Sequence, residues 1–172
     1  MRRKEGIAEL YLSKWIILLM TLASPAVNFS GQLEDSSRPP EKSISIYTSD
    51  DDVAAFRTIG KILNSSGYDL EDSEEALMTV TTEIMDKNYG FSNLGKLAIK
   101  LVAEINMNDT ITVIKLSGQY LEMQGSRPFT DEDYFKSNSV PVINSGAAGS
   151  AERSAWEYMM EIAKKYRNGK IK

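Results

Sequence analysis

Residues 96–105 read Lys96-Leu97-Ala98-Ile99-Lys100-Leu101-Val102-Ala103-Glu104-Ile105, and their alternation decides the fold. Leu97, Ile99, Leu101, Ala103 and Ile105 share one parity, while Lys96, Lys100 and Glu104 take the other. A two-residue period belongs to a strand with one face against a core, because successive side chains point to opposite sides of a sheet. Turn chemistry flanks the stretch. Asp86 to Gly95 holds Asn88, Gly90, Asn93 and Gly95 and reads as a long loop, while Asn106-Met107-Asn108-Asp109-Thr110 reads as a second turn. Before the loop, Met78, Val80, Thr82 and Ile84 form one face of an expected strand, with Thr79, Thr81, Glu83 and Met85 on the other. After the second turn, Ile111 and Val113 lie on one parity and Ile114, Leu116, Gly118 and Tyr120 on the other. That change marks either a bulge or a strand whose two faces are both partly covered. Three strands joined by turns predict an antiparallel meander.

Working outward, Ile44 and Ile46 alternate with Ser43, Ser45 and Tyr47 as a short strand. Val53, Phe56, Ile59, Ile62 and Leu63 then recur at helical spacing, so a helix is expected from about Val53 to Ser66. Ser49 is its candidate N-cap, Asp50-Asp51-Asp52 suit the positive end of its dipole, and Gly67 suits its left-handed C-terminus. Tyr68 to Ala76 is acidic and reads as a connection. Residues 124–150 read as mostly irregular, and a loop of that length is usually functional or mobile. The chain closes with a helix from about Ala151 to Arg167 carrying the stripe Trp156, Met159, Met160, Ala163 and Tyr166. The expected class is therefore α+β, with about four mostly antiparallel strands and two helices on one face, in the order β-α-β-β-β-α. Phe56, Ile59, Leu63, Leu101, Leu116 and Trp156 should share its core. By element order alone, the chain loosely resembles small exported domains of bacterial envelope assembly factors and lipoproteins. That resemblance carries no function across and assigns no residue a role, and it fails at the lipoprotein motif because the chain lacks the cysteine that a lipoprotein acylates.

The N-terminus carries its own signal. Arg2, Arg3, Lys4 and Lys14 precede an uncharged run from Trp15 to Ala23, shorter than the roughly 20 residues of a spanning helix. Ser24 and Ala26 stand at the spacing favoured for signal cleavage, so residues 1–26 read as a signal peptide. An uncleaved anchor, with Ile7, Leu10, Tyr11 and Lys14 extending the helical face, is the alternative, and a buried N-terminal helix fits less well because the run is apolar on every side. Residues 27–42, with Pro39-Pro40 and several serines, read as a polar tether to a single domain at 43–172. Export to the periplasm or cell envelope is the expected localisation.

Composition narrows the chemistry. The chain carries −4; without residues 1–26, which hold four bases and two acids, 16 bases face 22 acids, a balance of −6. Such a domain has no general attraction for nucleic acid or anionic lipid, so membrane contact is expected only through the N-terminal segment. Neither cysteine nor histidine occurs. Thiolate chemistry and the standard catalytic triad are therefore excluded, and no catalytic residue, metal ligand or cofactor is assigned. Asp50-Asp51-Asp52 read as helix capping rather than a cation site. Gly146-Ala147-Ala148-Gly149-Ser150 opens a helix without the Lys-Ser/Thr pair of a phosphate loop. Asp131-Glu132-Asp133-Tyr134-Phe135 forms either a partner-binding tip or a short helical turn whose aromatics cap the core. Two functions remain: a non-enzymatic binding or assembly domain meeting another envelope protein through a sheet edge or the helix-free face, or a small-molecule binder or weak hydrolase with residues 124–150 as a lid. For a ligand or partner surface the candidates are Tyr120, Arg127, Asp131, Asp133 and Tyr134.

Overall fold

The computed structural model describes residues 39–90, 95–123 and 131–172; residues 1–26 and Arg127 lie outside these. The elements run β1 (Ser43–Thr48), α1 (Asp52–Ser65), β2 (Leu70–Glu74), a 3₁₀ turn (Glu75–Leu77), β3 (Thr79–Thr82), β4 (Met85–Tyr89), β5 (Gly95–Asn108), β6 (Ile111–Met123), α2 (Glu132–Asn138), β7 (Val140–Pro141), α3 (Ala151–Lys165) and β8 (Lys170–Ile171). The domain is α+β, but the expected four strands and two helices are corrected to eight strands and three α-helices among the described residues. The main path of the sheet is β2-β3-β5-β6-β1-β8, with β4 against β5 and β7 against β6, and every pair is antiparallel.

The long hairpin of β5 and β6 organises the rest. Its register aligns Leu101 with Gly118, Ala103 with Leu116 and Ile105 with Ile114, so the apolar parity of both strands faces one side. Ile44 and Ile46 of β1 oppose Leu116 and Ile114 and extend that face. Onto it pack Ile59 and Leu63 of α1 and Trp156 and Met159 of α3, all buried, with Phe56 half-buried at the margin. Each such aliphatic side chain stabilises by about 1.5–3 kcal/mol. At Gly118 a Cβ would sit 2.8 Å from Leu101 and 3.3 Å from the Met159 sulfur, so glycine lets α3 approach the sheet. Unbroken pairing through Val113 and Ile114 rules out a bulge there, and on the second parity Val113 is half-buried while Ile111 is 49% exposed.

A bulge does occur, elsewhere. From Thr81 to Met85 the chain advances four residues while β5 advances three, from Val102 to Ile99. β3 and β4 are thus one line along β5 interrupted by an extra residue at Glu83-Ile84. Val80 and Thr82 face the helices before the break, and Met85 faces them after it, so Ile84 is turned to the opposite face. Thr82 is fully buried, and its Oγ1 accepts the Leu101 N–H at 3.0 Å, satisfying a backbone donor beside the break.

Three stretches expected as connections contain regular structure. β2 lies in the acidic segment, where its edge position frees its side chains from apolar alternation. β4 lies in the long loop: Lys87 takes a helix-facing position there by stacking its ammonium 4.4 Å from the Tyr68 ring centroid, and burial lowers its pKa. α2 and β7 lie within 124–150. The first helix is capped by Asp51, whose carboxylate accepts the Ala54 N–H at 2.7 Å, rather than by Ser49, while Gly67 adopts φ 83° at its end. The last helix starts at Ala151 behind Ser150 and ends at Lys165, two residues earlier than expected.

Candidate functional site

α2 is a third helix on the second face of the sheet, a correction to the two-helix, one-face arrangement. Its Glu132, Phe135 and Lys136 line a cleft with Lys100 and Val102 of β5 and Ser117 and Gln119 of β6, positions opposite in parity to the core. Asp131 caps α2, its carboxylate accepting the Tyr134 N–H at 2.9 Å, and Phe135 is driven inward to 1% exposure. Of the two aromatics, then, Phe135 packs inward and Tyr134 faces out, 54% exposed.

The surface expected from the sequence does not converge. Asp131, Asp133 and Tyr134 lie together on α2, whereas Tyr120 stands on the helix-covered face, half-buried, its pKa raised by burial and then by the Glu152 and Glu122 carboxylates. Asp133 supplies a backbone carbonyl to the Ser137 hydroxyl at 2.8 Å. Asp50, Asp51 and Asp52 also diverge: Asp51 caps α1, and Asp50 accepts the Tyr166 hydroxyl at 2.8 Å. Among the described residues no group of three or more carboxylates is arranged to hold a metal ion. At the α3 N-terminus the Ser145 hydroxyl donates to Glu152, and the Ser150 hydroxyl accepts the Arg153 N–H at 3.2 Å as the helix cap.

Two concave features take the place of that set. The first, of about 440 Å³, lies between α1 and the β2 edge, lined by Phe56, Gly60, Leu70 and Val80 with Arg57 and Lys61 at its rim. Its outer wall is β2, the last strand of the sheet path, which among the described residues pairs only with β3. Glu71, Glu74 and Glu75 are exposed along this edge, and Leu77 is 68% exposed just beyond it. The second is the cleft under α2, about 420 Å³, with Ile84, Val102, Phe135 and Pro141 as apolar walls and Lys42, Lys100 and Lys136 around them. Lys100 forms an ion pair with Glu71, and Lys136 one with Glu132 at 2.9 Å. The hydrogen bond from Lys136 holds the Glu132 carboxyl below the usual carboxylate range.

Taken singly, most of these residues carry no local signal in the sequence. Val102 is the legible signal: an apolar residue on the charged parity of 96–105, which a purely solvated face would not need. Among the described residues no helix is long and apolar enough to cross a membrane. No protein-family model and no curated protein matches this chain.

Proposed function

We propose that the chain is an exported, non-enzymatic envelope protein whose domain binds an extended segment of another protein along the β2 edge. The observation that carries this reading is the open edge strand with an apolar groove directly inside it. A strand added beside β2 gains main-chain hydrogen bonds, and every second side chain falls toward Phe56, Gly60 and Leu70. Glu71 and Glu75 are ion-paired with Lys100 and Arg57, so the exposed Glu74 is the edge carboxylate that repels a second copy of the same edge and attracts a segment bearing lysine or arginine. Export is supported by the basic segment and apolar run of residues 1–23.

The hydrolase alternative has less support. Lys100, which stands opposite Gln119 and diagonal to Ser117 in the sheet, has its ammonium committed to Glu71 rather than to a serine hydroxyl. Binding of a blocked hexapeptide alternating lysine and valine tests the edge directly. Glu74→Lys and Gly60→Trp, which reverse the charge of the edge and fill the groove, should each weaken it at least tenfold. Undiminished binding in both variants refutes the edge reading. Cell fractionation with N-terminal mass determination tests export independently: a cytoplasmic chain with Met1 intact removes that part of the proposal.

A further inference from the structure

We propose that the cleft between α2 and the second face of the sheet binds a small amphiphilic monoanion, a carboxylate carrying an apolar body. Three ammonium groups line the cleft, and the carboxylates of Glu71 and Glu132 neutralise two of them. Lys42 has no ion pair among the described residues, so one positive charge stands uncompensated in a domain that is otherwise net acidic. A single negative charge balances it. A polyanion would have to take Lys100 or Lys136 from its carboxylate, and a cation would meet like charge.

The rest of the cleft suits an apolar body. Ile84 reaches this face only because of the extra residue at the β3–β4 break, and with Val102 it makes an apolar floor. Phe135 supplies the facing wall, its place set by the Asp131 cap. Gln119 accepts the Ser139 hydroxyl through its carbonyl oxygen at 3.3 Å, leaving its amide hydrogens to donate, and the Ser117 hydroxyl adds a further donor. A volume of about 420 Å³ falls in the range of small-molecule sites. This site shares no residue with the β2 groove, so it stands or falls separately from the edge reading.

The test is titration of the isotopically labelled full chain with octanoate and decanoate below their micellar concentrations, followed by amide NMR. Saturable shifts are expected at Ile84, Val102, Ser117, Gln119 and Phe135, and not along Phe56 to Ser65. Decyltrimethylammonium should produce none of them. Lys42→Glu, a change at an exposed position, should weaken decanoate at least tenfold, and Lys42→Arg should restore it. The proposal is overturned if neither carboxylate gives saturable shifts in the cleft, if the cation binds there equally well, or if Lys42→Glu leaves the affinity unchanged.

Discussion

The two faces of the sheet are made by the same two strands yet differ in kind. On one, Leu97, Ile99, Leu101, Ala103 and Ile105 are at most 5% exposed beneath two helices of 14 and 15 residues. On the other, Lys100, Val102, Ser117 and Gln119 meet one helix of 7 residues and leave a cleft. The difference teaches that one hairpin can close a core with one parity and leave concave, charged space with the other. The filled face holds the domain together, and the open face can exchange charged side chains without loss of the core.

The sharpest way to break this comparison is to cut the filled face. Trp156→Ala should cost about 3–5 kcal/mol, enough to unfold a marginal domain that has no disulfide. A denaturant midpoint close to the parent's would mean that the helix face does not carry the fold. Next comes Thr82→Val, which removes the acceptor of the Leu101 N–H inside the bulge and should cost about 2 kcal/mol. Thr82→Ser keeps the oxygen and should recover more than half of that loss. Equal losses for valine and serine would assign the effect to packing.

The open face should respond less. Phe135→Ala empties the one aromatic that α2 buries, and because a short helix can open locally the loss should fall short of the roughly 3–5 kcal/mol that a buried Phe→Ala costs in a core. Hydrogen exchange should show faster exchange in α2 with β5 still protected. If β5 loses protection too, the faces are not independent.

The smallest effect expected at neutral pH is that of Tyr166→Phe, about 1 kcal/mol for the hydrogen bond to Asp50. Its pH dependence sharpens the contrast. Burial, and then the bond to Asp50, holds the Tyr166 phenol well above its ordinary 10.0. Above pH 10 the unfolded chain releases this proton while the fold retains it, so stability is complete below pH 10 and falls as pH rises. Tyr166→Phe should flatten that alkaline decline. A decline as steep as the parent's would show that other groups cause it.

How much of this was legible follows from where each residue's neighbours come from. The β5 alternation, the stripes of α1 and α3, and Gly67 at a helix end were readable because burial of a long periodic face, or a φ only glycine adopts freely, leaves a local mark. The acidic run at β2 and the Met-Asp-Lys-Asn-Tyr of β4 left no such mark. β2 is an edge with exposed side chains, and β4 places Lys87 inward over Tyr68, a contact 19 residues distant in sequence. Of the expected surface, Asp131 and Tyr134 lie on α2, where Asp131 accepts the Tyr134 N–H as a cap and the neighbouring Phe135 turns inward.

By itself, the sequence determined the class, the two long helices, the parity that enters the core, and the exclusion of thiolate and histidine chemistry. These rest on residue type and short-range period. Tertiary structure alone decided that α2 lies on the second face, that one extra residue turns Ile84 toward it, and that Lys42 just before β1, Lys100 of β5 and Lys136 of α2 meet around an apolar floor. Strand register brings those groups together, and register is fixed by pairing between distant segments, so no local pattern could announce the cleft.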